Sequence, residues 1–191
     1  MSPDSEARGG AGDRSVETVI LVDSTGAEIG LADKLAAHQG GGALHRAFSV
    51  FLFSSDGRML IHRRASTKHH FRDLWTNACC SHPRPGETII EASVRRVREE
   101  LGIGVQPGDL HELASFVYRA SDEASGLVEH EWDHVVSGRT DDDPVPDPGE
   151  VGEWRWVEPE SLRSELESDP TRFTPWFPLA WTILRDAAAP V

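Results

Sequence analysis

From Glu87 to Leu101 the chain reads "ETIIEASVRRVREEL". Ile90, Val94, Val97 and Leu101 fall at i, i+4, i+7 and i+11, one face of an α-helix, and Gly102 ends it. No other stretch dictates its local structure so firmly. The rest of the chain supplies strands around this helix.

Val16 to Val22 is β-rich and "DSTGAE" reads as a turn. Leu31 to Ala37 reads as one or two helical turns, and "HQGGGALH" as a glycine loop. Ala47 to Phe53 and Arg58 to Arg63 flank "SSDG" as a hairpin. Two longer strands are expected near Leu110–Arg119 and Leu127–Ser137, then a short one at Trp154–Val157. The proline-rich "DDDPVPDPGE" interrupts any element. Helices are expected over Glu158–Glu167 and in the closing "FTPWFPLAWTILRDAA", whose aromatics should face inward, with Trp154, Trp156 and Trp181 in the core. The pattern is α+β, a mixed sheet with flanking helices in an α/β/α sandwich-like arrangement. Residues 1–15, polar and glycine-rich, read as a disordered tail; 16–191 read as a single domain, long enough to bury a core without staples.

A net charge of −13 argues against broad nucleic-acid or anionic-membrane binding. An anionic small molecule would have to meet a local cluster of cations. No apolar run approaches the roughly 20 residues of a membrane span, and the N-terminus lacks a secretion signal. A cytoplasmic protein with reduced thiols is expected. The only two cysteines, Cys79 and Cys80, are adjacent, and a disulfide between them would strain the intervening peptide.

On the helix, Glu99 projects into solvent, whereas Glu100 lies at the border of the apolar stripe and should be half-buried. Such a carboxylate needs a cationic or metallic partner; the alternative is an ordinary helix laced by Glu91–Arg95, Arg95–Glu99 and Arg96–Glu100 pairs. In "VEHEWDHV", Glu129 and Glu131 share one strand face about 6.5–7 Å apart. They either share a cation or proton, or line a solvated face with Val128 and Trp132 in the core behind them. His69 and His70 read as solvated and His62 and His134 as packed on strands. A loop histidine alone is a weak ligand candidate, but three with two same-face glutamates suit a transition-type divalent ion.

"SHPRPGETIIEASVRRVREELGI" resembles a Nudix box, G-x5-E-x7-R-E-U-x-E-E-x-G-U, with Ser81 in place of the leading glycine and Arg96 in place of the glutamate after the arginine. The second change exchanges a carboxylate of the metal cluster for a cation and argues against diphosphate hydrolysis. "KLAAHQGGGALHRAFSVFLF", "LWTNACCSHPRPGE", "YRASDEASGLVEHEWDHV" and "FTPWF" together resemble the type 1 isopentenyl-diphosphate Δ-isomerases, a branch of the Nudix fold, over most of the chain outside the tail.

The resemblance implies interconversion of isopentenyl and dimethylallyl diphosphate by a 1,3-allylic proton shift; the alternative is a Nudix-type hydrolase of a nucleoside diphosphate derivative. It implies Cys80 as the catalytic thiol, Glu131 as the second acid/base and Tyr118 hydrogen-bonded to it. His38, His45, His82, Glu129 and Glu131 become ligands of one divalent ion, Mn²⁺ or Zn²⁺ or else Mg²⁺. Glu100 and the Cys80 carbonyl become a site for Mg²⁺ carried by the substrate. Lys34, Arg64, Lys68 and Arg96 become its phosphate-binding cations, and Trp176 the lining of its hydrocarbon pocket. Cys79 has no role in this reading, and the protein is expected to act as a monomer.

Overall fold

The computed structural model describes residues 17–188. The predicted tail over 1–15 lies outside them. Strands β1 (Thr18–Val22) and β2 (Glu28–Asp33) form an antiparallel hairpin. Asp23 Oδ1 closes its turn by accepting from the Thr25 and Ala27 amides. The helical turns expected from Leu31 begin only at α1 (Lys34–His38). Gly30, Leu31 and Ala32 instead pair with Leu21, Ile20 and Val19, so ladder hydrogen bonds override local propensity. Asp33 then caps α1 by accepting from the Ala36 amide at 2.8 Å.

The centre of the sheet is β3 (His45–Phe53), which pairs in parallel along its whole length with β8 (Leu127–Arg139), His45 opposite Glu131. Its other edge is divided among Leu21 of β1, the short β6 (Cys79–Ser81), and β4 (Met59–Arg64), which touches it only at Phe53↔Met59. The expected hairpin therefore opens after one pair. Strand β4 turns away to lie between β5 (Trp75–Thr76) and β9 (Val151–Val157). Strand β7 (Leu110–Asp122) pairs antiparallel with β8 and brings Tyr118 opposite Glu131.

Helix α2 (Ile89–Leu101) covers one face of this sheet, packing on Phe48, Val50 and Leu52 through Ala92, Val97 and Leu101. Helices α3 (Pro159–Ser168) and α4 (Phe177–Ala188) cover the other, where Phe51, Ile61 and Val135 meet Leu162, Phe177 and Ala180. Coverage of both faces explains why "AFSVFLF" is apolar almost throughout rather than alternating. Trp154, Trp156 and Trp181 are half-buried rather than core: they pack over it from outside, and Trp156 Nε1 reaches Asp143 at its rim.

Thr88 and Glu91 form a reciprocal cap at the start of α2, which takes Glu91 away from the Arg95 pair expected of it. Arg95 binds Glu87 instead, through two contacts of 2.7 Å. Among the described residues no helix is long and apolar enough to cross a membrane.

Candidate active site and metal centre

The parallel register of β3 and β8 sets His45 beside Glu131, and the pleat puts Glu129 on the same face two residues earlier. Residues 39–44 fold back so that α1 delivers His38 to that face. Gly42 permits this return: its φ is +78°, and a Cβ there would lie 2.9 Å from Val128 Cγ1. The turn out of β6 adds His82. One donor atom from each of His38, His45, His82, Glu129 and Glu131 falls within 4.8 Å of all the others. The two glutamates are buried, not on a solvated face. Val128 is buried behind them and Trp132 half-buried.

The donor set fits a divalent ion. His38 Nδ1 lies 2.6 Å from the Lys34 carbonyl and His45 Nδ1 2.8 Å from that of Ala43. A ring nitrogen facing a carbonyl carries the proton, which leaves both Nε2 lone pairs turned inward. His45 Nε2 and His82 Nε2 are 3.1 Å apart. His38 Nε2 lies 2.9 Å from Glu129 Oε2, yet neither buried atom makes a hydrogen bond. Lone pairs converging like this repel unless a proton or cation sits among them.

Burial drives His82 well below its ordinary pKa, into the neutral form a metal needs. Burial also opposes charge on His38, but Glu129 wins and raises it. At Glu131 burial favours the protonated form; contacts from His45 and Tyr118 overcome it and hold the carboxyl at about 2. Tyr118 Oη donates to Glu131 Oε2 at 2.5 Å, and His82 Nε2 lies 3.0 Å from Oε1.

Cys80 faces the same small cavity, of about 70 Å³, as Glu131, Tyr118 and Trp176. Its Sγ donates to Asn77 Oδ1 at 2.8 Å and accepts from Trp176 Nε1 at 3.0 Å. Burial first, then the charge of Asp133, pushes the thiol up to about 12, so it rests protonated. Ser49, paired with Cys80 across β3 and β6, lies 3.5 Å from Sγ and donates to Asp133 Oδ2 at 2.7 Å. Cys79 points into the core beneath α2 and is fully buried.

Lys34, Arg64, Lys68 and Arg96 all line this cavity, each already engaged. Lys34 pairs with Glu17 at 2.8 Å and Lys68 with Glu150. Arg96 pairs with Glu100 at 2.6 Å and Glu150 at 3.2 Å. Arg64 donates to the carbonyls of His70 and Phe71, its guanidinium 5.5 Å from the Trp176 ring. An adjoining cavity of about 270 Å³ shares Lys34, His82 and Arg96 and adds Arg84 and Arg95. Glu100 is fully rather than half buried, because Arg96 folds over it; it stands apart from the His/Glu cluster. Glu99 is solvated as expected.

His70, expected in solvent, is buried with its Nε2 on Glu129 Oε1. The loop turns inward at Phe71, whose φ is +47°, a conformation no residue pattern announces. His69 stays exposed. Asn77, Ser49 and Asp133 were also missed as site residues. Their signal is a polar residue inside an otherwise apolar strand or turn, which must find a partner when buried.

A family model for the NUDIX domain matches residues 43–177. The chain is 46% identical over 163 residues to the isopentenyl-diphosphate Delta-isomerase of Halorhodospira halophila, covering 85% of this chain and 91% of that protein. It is 48% identical over 158 residues to the enzyme of the same name from Nocardia farcinica, covering 83% and 89%. In fold it is similar to a Deinococcus radiodurans protein at 23% identity and a TM-score of 0.68, covering 88% of this chain and 98% of that one.

Proposed function

The chain is a NUDIX-domain protein and belongs to the isopentenyl-diphosphate Δ-isomerases, and from that premise we propose that Cys80 and Glu131 move protons at opposite faces of its substrate. The enzyme interconverts isopentenyl and dimethylallyl diphosphate. An unactivated allylic C–H is too weak an acid to be deprotonated first. The order is protonation of the alkene to a tertiary cation, then proton loss from the other side. One observation carries the assignment: a protonated thiol from β6 and an ionised carboxylate from β8 share one small cavity. An acid and a base on separate strands can address two faces of a flat alkene.

Trp176 offers its ring to the developing cation and excludes water; such an attraction is worth about 2 kcal/mol or more when desolvated. Tyr118 fixes the orientation of the Glu131 carboxyl. His38, His45, His82, Glu129 and Glu131 would hold a divalent ion, which as a Lewis acid polarises the carboxyl it binds. Histidine donors favour Zn²⁺ or Mn²⁺ over Mg²⁺ there. Lys34, Arg64, Lys68 and Arg96 would take the diphosphate, and Glu100 with the Cys80 carbonyl would hold the Mg²⁺ that accompanies it. The protein acts as a monomer in this reading, and its two unpaired cysteines suit the cytoplasm.

The test is an NMR assay of isopentenyl diphosphate with Mg²⁺ in D₂O. The expected product is dimethylallyl diphosphate carrying deuterium, lost in Cys80→Ala and Glu131→Gln. Phosphate release without that isomer, or full turnover by Cys80→Ala, would overturn the assignment.

A further inference from the structure

We propose that His70 is a positioning residue for the metal centre, holding Glu129 Oε1 so that this carboxylate offers the metal a single oxygen, Oε2. The inference rests on the metal site proposed above. His70 Nε2 contacts Oε1, while Oε2 faces His38 Nε2 at 2.9 Å without a hydrogen bond. The two oxygens thus have separate tasks. His70 is not a sixth ligand, since its Nε2 is spent on Oε1. Its Nδ1 is buried and has no partner among the described residues, so nothing there competes for the ring proton. The proton belongs on Nε2, where the acceptor is.

The surrounding loop is built to keep the ring there. Arg64 clamps the carbonyls of His70 and Phe71 at 3.1 and 3.0 Å. The Phe71 amide donates to Asp122 Oδ2 at 3.3 Å, and Phe71 packs edge-on against Trp176. The left-handed backbone of Phe71, unfavourable for a side chain of that size, is retained under these restraints. Such partners of ligands orient the first layer of a metal site, and their loss typically costs about 10- to 100-fold in metal affinity. Freed from His70, Glu129 can rotate and present both oxygens, which changes the coordination number.

The experiment compares wild type with His70→Phe, which keeps ring volume but removes the donor, and His70→Gln, whose amide N–H can replace it. Mn²⁺ affinity is measured by chelator competition, the Co²⁺ d–d spectrum is recorded, and the metal-stripped proteins are melted. The expected result is about 10- to 100-fold weaker Mn²⁺ binding and an altered Co²⁺ spectrum in His70→Phe, both largely restored in His70→Gln. If both variants lower only the melting temperature of the stripped protein, leaving affinity and spectrum as in wild type, His70 merely packs the loop and the proposal fails. A wild type that binds neither ion would instead remove the metal site itself, and this inference with it.

Discussion

Cys79 and Cys80 are neighbours in sequence with opposite environments, because successive residues of a strand face opposite sides. Cys79 Sγ is core. Replacing it with Ala should cost about 1 kcal/mol by chemical denaturation and leave kcat within about twofold. Asn77 supports its neighbour: it donates to the carbonyls of Val50 and Cys79 at 3.0 and 2.9 Å and accepts from Cys80. Asn77→Ala removes these three hydrogen bonds from a buried site, where a donor or acceptor left without a partner costs about 1–3 kcal/mol. A clear fall in melting temperature is expected, with kcat reduced more than KM is raised. At this scale residue types were legible and convergence was not. Glu129 and Glu131 could be read as paired from their spacing. That His38 and His82 reach them depends on the Gly42 return and on strand register, and His70 was misread because its loop's inward turn carries no compositional mark.

Helix α2 ends where the acidic proline loop docks onto it. The Val145 amide donates to the Leu101 carbonyl and that of Asp147 to the Glu100 carbonyl, both at 2.9 Å. The loop thereby satisfies helix-end carbonyls that have no partner within the helix and carries Glu150 to Arg96 and Lys68. Gly102 allows the close approach: its φ is +70°, and an added Cβ would stand 2.6 Å from the Val145 carbonyl oxygen. Gly102→Ala should therefore destabilise by more than about 1 kcal/mol in a denaturant titration. The helix itself was plain in the sequence, since amphipathic spacing and caps are local signals. The partners of β3 and β4 were not. A hairpin turn was readable between them, but whether two strands stay paired depends on distant segments competing for their edges.

The molecule carries a charge of −13 yet gathers cations around one cavity, with Lys34, Lys68 and Arg96 held by carboxylates and Arg64 by backbone carbonyls. At Glu150 burial favours the neutral acid, but Lys68 and Arg96 hold it down at about 2. Its folded value lies below the ordinary 4.5, so its ion pairs stabilise fully above that pH, and the contribution is lost as pH falls through about 2. Glu150→Gln should be less stable by about 1.5–3 kcal/mol at pH 7, the gap to wild type closing between about pH 4.5 and 2 in parallel melts. Chelator treatment should lower the melting temperature as well, since an ion at 100 times its Kd adds about 2.7 kcal/mol. The parallel pairing of His45 with Glu131 spans 86 residues (131 − 45), and such contacts form late because a long loop must close first. During synthesis, a nascent chain that has exposed His38, His45 and His82 still lacks both carboxylates. An ion that needs all five donors would therefore be captured only after β8 has left the ribosome and docked, so that metal occupancy would mark a finished sheet.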